Sequence, residues 1–304
     1  MSLTAITLSE LCETAIGAAQ AAGEFIQSVD REKITRQYKD AGSSSASQVV
    51  TDVDFRSETI IRECLSESCT RWDIAFVGEE SSQHPGDQPP DRFSKSNFWC
   101  VDPLDGTLPF VEGRSGYAVS IALVERSGTP LIGVVYDPAS GTLVHAVKGQ
   151  GAGRDRSPMG RGQKKSAALM VFADGSLPTQ HDYDETVGLL NACANDSGLE
   201  GIEMVYGNGA VRNACQVLDY ATACYIKLPK SENGGGSIWD FAATACIARE
   251  AGSWASNIHG GSLDLNRRDS TFMNHQGVVF ASSEQIGEFL IEQLPRLSLA
   301  SALR

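Results

Sequence analysis

Asp102-Pro103-Leu104-Asp105-Gly106-Thr107 is the stretch on which the reading of this chain turns. It follows a strand-like apolar run, Phe98-Trp99-Cys100-Val101, and sets two acids three residues apart where that run ends. Proline restricts the backbone between the acids and glycine permits a tight turn after them, so both carboxylates can face one point. Oxygen donors without His or Cys among them suit Mg²⁺ or Mn²⁺ and not zinc. A helix starting near Gly106-Thr107 would add free backbone N–H groups as an anion cradle beside the metal.

Further acids stand where other elements begin or end: Asp52 and Asp54 behind Thr51, Glu79 and Glu80 behind Ile74-Ala75-Phe76-Val77-Gly78, and Asp240 behind Trp239. Each alone has an ordinary use as a helix cap, a turn residue or a solvated charge. Grouped, they point to metal-assisted phosphate-ester chemistry, in which two cations ~3.5–4 Å apart bind the attacking water and the leaving oxygen. No G-x-x-x-x-G-K-[ST] loop occurs, which disfavours an NTP-driven kinase or ATPase. Gly234-Gly235-Gly236-Ser237 reads as a flexible approach to Trp239-Asp240.

Composition narrows the classes further. At 304 residues, 41% apolar and 21% charged, the chain is expected to fold as two packed lobes and not as a disordered or fibrous protein. A net charge of −13 repels nucleic acid, and the basic segment Arg154 to Lys165 has no interleaved aromatics and reads as a solvated linker. No window approaches the roughly 18 apolar residues of a membrane span, and the N-terminus lacks a secretory layout, so a cytoplasmic protein is expected. The eight cysteines form no C-x-x-C pair and sit among apolar residues, as buried hydrophobes do in a reducing compartment.

Helical spacing over Leu8 to Ala22 predicts an amphipathic helix ending near Gly23 or soon after, and Thr51-Asp52 opens a second. The polar stretch Asp40 to Ser45 reads as a turn or mobile loop, and residues 82–97 as a Pro, Gly and Asp-rich connection. Tyr117 to Val147 reads as a three-stranded antiparallel meander. Gly149 to Lys165 is the expected domain boundary, dividing 1–160 from 161–304. The second part alternates helices (about 183–197, 209–220, Ile238 to Ala251, Glu284 to Leu294) with strands at Ala223 to Leu228 and Gly277 to Ala281. This alternation implies a layered α+β or α/β fold.

Taken together, Gly78-Glu79-Glu80-Ser81, Asp102 to Thr107 with Phe110, and Trp239-Asp240-Phe241-Ala242-Ala243 leading to Glu250-Ala251-Gly252 resemble the inositol monophosphatase family. The resemblance implies an αβαβα sandwich, usually a homodimer, with magnesium-dependent and lithium-sensitive phosphomonoesterase activity on a small phosphorylated metabolite. It implies that Glu79, Asp102 and the Leu104 carbonyl hold a first, water-activating metal, and that Asp102, Asp105 and Asp240 hold a second. A weaker third ion would involve Glu79. Thr107 would pair with Asp52 and, with Glu79, orient the water, while Gly106 and Thr107 N–H groups grip the phosphate.

The departures lie on the substrate side. Leu108-Pro109 stands where a polar residue is usual before the aromatic, and Asn233 stands where an acid would contact inositol hydroxyls. The connection Lys227 to Gly236 is long and carries Lys227 and Lys230, two cations suited to a second phosphate. The segment Leu263 to Asp269 with Asn274, and the wording of the central motif, resemble 3′(2′),5′-bisphosphate nucleotidases. That substrate class is the expectation, with an inositol or sugar phosphate as the alternative. Outside enzymes, the alternative is a catalytically silent metal-binding scaffold.

Overall fold

The computed structural model describes residues 3–34, 36–38, 49–83 and 91–302. The polar stretch Asp40 to Ser45 lies outside the described residues, as does the middle of the 82–97 connection. Seven α-helices are described: α1 (Ala5–Ser28), α2 (Asp52–Trp72), α3 (Thr107–Val111), α4 (Tyr183–Asp196), α5 (Ala210–Val217), α6 (Ile238–Glu250) and α7 (Glu284–Ala302). A short antiparallel pair, β1 (Arg36–Tyr38) and β2 (Val49–Thr51), precedes α2.

Seven strands make the first sheet, in chain order: β3 (Ile74–Gly78), β4 (Asn97–Asp105), β5 (Ala118–Glu125), β6 (Pro130–Asp137), β7 (Thr142–Val147), β8 (Gly151–Arg154) and β9 (Ser157–Met159). β3 runs parallel to β4 and every later pairing is antiparallel. The second sheet is ordered β11-β10-β12-β14-β13, from β10 (Leu169–Phe172), β11 (Ile202–Val205), β12 (Ala223–Lys227), β13 (Trp254–Ser256) and β14 (Val278–Ala281). β10, β11 and β12 are parallel, and β14 is antiparallel to β12.

Burial sorts these elements into five layers. Leu11, Ala15, Ile16 and Ile61 of α1 and α2 close one face of the first sheet on Trp99, Val101 and Ile132. α5 and α6 lie between the sheets, where Val211, Ala214, Phe241 and Ala245 meet Phe98 and Ala122 on one side and Tyr225 and Phe280 on the other. α4 and α7 cover the outer face of the second sheet through Leu190, Ile286 and Leu290. α6 is buried nearly all round, as a helix sandwiched between two sheets must be. The layers are those of the expected αβαβα sandwich.

α1 ends at Ser28, soon after Gly23 as expected, and Gly23 lies against the Tyr136 ring, where an added Cβ would come within 2.3 Å. A residue that weakens a helix in isolation here permits its closest packing. The basic Arg154 to Lys165 segment, read as a solvated linker, is largely exposed, and its first residues also complete the β8–β9 hairpin at the sheet edge. Two of its five cations, Arg154 and Lys164, pair with Asp219. The last helix also passes through Pro295, forgoing one backbone donor. Among the described residues no helix is long and apolar enough to cross a membrane.

Candidate metal centre and active site

In a regular strand, residues three apart point to opposite faces, so Asp102 and Asp105 could not share a ligand on an unbroken β4. The strand is broken between them: Asp102 pairs with Ser120 and Asp105 with Ala118, with a register shift between. The bulge rotates the second carboxylate to the side of the first. Asp240 arrives from the first turn of α6, where it closes a capping box by accepting the Ser237 N–H at 2.6 Å. Carboxylate oxygens of Asp102, Asp105 and Asp240 lie within 4.8 Å of one another.

Gly236, in the run before α6, serves this convergence. Gly236 has φ +77° and sits so close to Asp240 that a Cβ would come within 2.6 Å of its Oδ2. Residues 271–274 hold the same segment by backbone bonds, Met273 N–H to Gly236 and Ile238 N–H to Thr271.

Without a cation the cluster is electrostatically frustrated. Burial first, then the charges of Glu79, Asp105 and Asp240, push the Asp102 carboxyl well above its ordinary range. Burial and Asp240 do the same to Asp105, against the pull of Lys227 and two backbone N–H groups. Burial raises Asp240 to about 6, with Lys227 opposing and Glu79 adding to the rise. Two buried acids and a half-buried third facing one point, with oxygen donors alone, fit a hard divalent cation.

Asp105 has a second attachment. Its two oxygens accept the Ala210 and Val211 N–H groups, each at 2.9 Å, so it caps α5, whose own N-cap Gly209 offers no side chain. The first sheet thereby holds the middle layer through a site carboxylate.

One expected pairing is corrected. Thr107 directs its hydroxyl to Asp54 Oδ1 at 2.9 Å, not to Asp52. Asp54 is the N3 residue of a capping box with Thr51, whose N–H and hydroxyl both reach Asp54 Oδ2, and it is 1% exposed. Asp52 is the first helical residue, exposed to solvent. The two acids are two positions apart, about 200° around a helix, so only one can face the core. The apolar residue between them, Val53, is buried too and gives no warning of which.

Glu79 follows β3, its N–H bonded to the Val101 carbonyl at 3.0 Å, and its charge is felt by both Asp102 and Asp240. What holds this turn is Glu58, a residue that sequence reasoning missed. Its buried carboxylate accepts the Glu80 N–H at 2.8 Å and the Ser81 N–H at 3.2 Å, with Arg62 3.3 Å away. Only its position one turn beyond Asp54 on α2 could have suggested it.

The remaining positions scatter. Leu104 is buried, and its carbonyl lies 3.2 Å from the Thr107 hydroxyl. Gly106 has φ +80° and precedes α3. Lys227, the last residue of β12, is paired with Asp174 at 2.9 Å. Lys230 and Asn233 are exposed on the following segment, which Asn274 clasps through the Lys230 and Glu232 carbonyls. Arg267 is spent on Asp269, while Asn266 takes the buried Arg92.

Fold and site together define a layered αβαβα protein with a candidate metal centre between its first sheet and its middle helices. The chain belongs to the inositol monophosphatase family, whose model matches residues 7–298. An inositol-1-monophosphatase of Mesorhizobium japonicum is 30% identical over 95% of this chain and 97% of its own length. A histidinol-phosphatase of Chlorobaculum parvum is 29% identical over 68% of this chain and 78% of its own. Among solved structures, the inositol monophosphatase-II of Staphylococcus aureus superposes with a TM-score of 0.70 at 23% identity, over 97% of each chain.

Proposed function

We propose that this chain is a Mg²⁺-dependent phosphomonoesterase acting on a small, hydroxyl-bearing phosphate monoester. The observation that carries the reading is the cluster of Asp102, Asp105 and Asp240, within 4.8 Å, adjoining the Thr107–Asp54 pair. Asp102, Asp105, Asp240 and Glu79, with the Leu104 carbonyl, would hold two or three ions. When bound, these neutralise charge on the phosphoryl oxygens and acidify the attacking water.

The chain's own groups do the positioning. Because Thr107 donates its one O–H hydrogen bond to Asp54, its oxygen is left as an acceptor, able to receive a hydrogen bond from the attacking water and aim it. Glu79, half-buried beside Asp102, is placed to share that task. Gly106 and Thr107 N–H groups would meet the phosphate. The homodimer and the lithium sensitivity implied by the resemblance belong to the same proposal; light scattering and a lithium titration of activity test them.

A second reading, 3′(2′),5′-bisphosphate nucleotidase, is supported by Lys227 and Lys230 standing close enough for the charge of the first to help lower the second. Against it, Lys227 is already matched by Asp174. Relatives named for both inositol phosphate and histidinol phosphate fit a site whose leaving-group side varies.

The test is phosphate release, with and without Mg²⁺, from inositol 1-phosphate, adenosine 3′,5′-bisphosphate and fructose 1,6-bisphosphate. Asp102→Asn is the control, since Asp105 also caps a helix. Magnesium-dependent turnover lost in the folded variant is expected. Equal inertness of both proteins on all three esters would leave a silent scaffold.

A further inference from the structure

β10 and β12 run parallel and end side by side, and ligands of open sheets gather at such carboxyl ends. Asp174 lies two residues beyond β10, and Lys227 is the last residue of β12. The Lys227 ammonium is 2.9 Å from Asp174 Oδ2. Oδ1 accepts the Tyr225 hydroxyl at 2.8 Å, with the Asn213 amide of α5 at 3.5 Å. Donors from β12 and α5 are thus aimed at one carboxylate, which keeps 32% of its side chain in solvent while Lys227 keeps 12%.

This arrangement adjoins the metal centre. Ala210 and Asn213 are three residues apart on α5; the first donates to Asp105 and the second to Asp174. That offset is about 4.5 Å along the helix axis, so the span from the carboxylate cluster to Asp174 is of the order of a small ester. The Lys227 charge acts on Asp105 and Asp240 as well.

We propose that Asp174 is the specificity-determining acceptor for hydroxyl groups of the leaving group, held and charge-matched by Lys227. The proposal rests on the phosphomonoesterase reading and says which esters it favours. An ionised carboxylate only accepts, with about four lone-pair sites. Tyr225, Asn213 and Lys227 occupy three of them, and the exposed side offers the rest to a substrate O–H. A second phosphate would meet the more exposed aspartate before the sheltered lysine, and the pair carries no net charge to attract it. Asp174 and Lys227 therefore select hydroxylated monoesters and reject bisphosphates.

The experiment measures kcat/KM of the magnesium-loaded full chain on inositol 1-phosphate, on phenyl phosphate, which offers no hydroxyl, and on adenosine 3′,5′-bisphosphate. In Asp174→Ala the preference for inositol phosphate over phenyl phosphate should fall about 10- to 100-fold, chiefly through KM, as for loss of a charged hydrogen bond. Asp174→Asn, close to isosteric and so a guard against misfolding, removes the charge paired directly with Lys227 and should raise the bisphosphate-to-inositol-phosphate ratio at least about 10-fold. The proposal is overturned if wild type does not prefer inositol phosphate to phenyl phosphate, or if Asp174→Ala slows both equally, the mark of a structural brace. Failure of wild type to release phosphate from any of the three would instead defeat the phosphomonoesterase reading itself.

Discussion

The two sides of the site are built differently. On the metal side, Asp54, Asp102 and Asp105 are buried, and each is fixed by backbone N–H groups or a capping box, on elements from two layers. On the leaving-group side, Asp174 is a third exposed and Lys227, Tyr225 and Asn213 hold it through side chains alone. Side-chain partners can be exchanged without moving the backbone, whereas Asp105 cannot change without uncapping α5. The difference separates a part of the site that fixes the reaction from a part that can be retuned to a new alcohol.

The largest effect that would sharpen this contrast is Asp102→Asn. Loss of one site charge should cut kcat/KM at least ~10³-fold on every ester alike, several kcal/mol of transition-state stabilisation, whereas Asp174 variants reorder substrates. Steady-state kinetics on the three esters checks it; a substrate-dependent loss in Asp102→Asn would dissolve the division. Next come the two acids at the start of α2. Asp54→Asn should lower kcat about 10²-fold by misdirecting the Thr107 hydroxyl, and Asp52→Asn, at an exposed position, should lower it by less than about twofold. The reverse order would restore the Asp52 pairing.

The same contrast explains what was legible in the sequence. Asp102-Pro103-Leu104-Asp105-Gly106-Thr107 carries its own geometry, since the proline, the glycine and the strand before them define the turn locally. The meander and the helical periods of α1 and α2 are likewise local patterns. Asp54 over Asp52 was not readable, because the choice depends on which side of α2 meets Thr107, 53 residues away. Glu58 escaped for the same reason, its partners lying on the turn after β3. Asp174 sits in an unremarkable Ala173-Asp174-Gly175 sequence, and only the parallel pairing of β10 with β12 sets it beside Lys227. The pairing of Arg154 and Lys164 with Asp219 was not readable either, because Asp219 is distant in sequence.

Glu58 offers a smaller effect that tests whether the metal side is as cross-braced as it looks. Glu58→Gln keeps the shape but weakens the acceptor for the Glu80 and Ser81 N–H groups, and so loosens Glu79. Magnesium affinity by calorimetry should fall about 10- to 100-fold, the usual cost of losing an outer partner of a metal ligand, with Glu58→Asp failing to restore it because its carboxylate is shorter. Unchanged affinity would place Glu79 outside the metal set.

The smallest effect is thermal and depends on pH. In the unfolded chain the site carboxyls ionise in the ordinary range, but in the folded, metal-free protein they ionise later, Asp240 at about 6 and Asp102 and Asp105 also raised. A carboxyl whose folded value is raised contributes stability below its unfolded value, and that contribution is lost as pH rises through the folded one. Metal-free protein should therefore lose stability from about pH 4 to above pH 6 on account of these groups. A bound cation reverses the trend, because the charges that repelled one another now hold it, and protons leave as it binds. At a concentration of about 100 times Kd, Mg²⁺ would add ~2.7 kcal/mol, a rise in Tm of roughly 4 °C for a chain of this size. The rise should be full at pH 8, nearly absent at pH 5, and missing at both in Asp102→Asn. Asp174→Asn should keep the full pH 8 rise, since its carboxylate serves the alcohol and not the cation; a rise that vanished there as well would mean that the two sides of the site are one electrostatic unit and cannot be retuned separately.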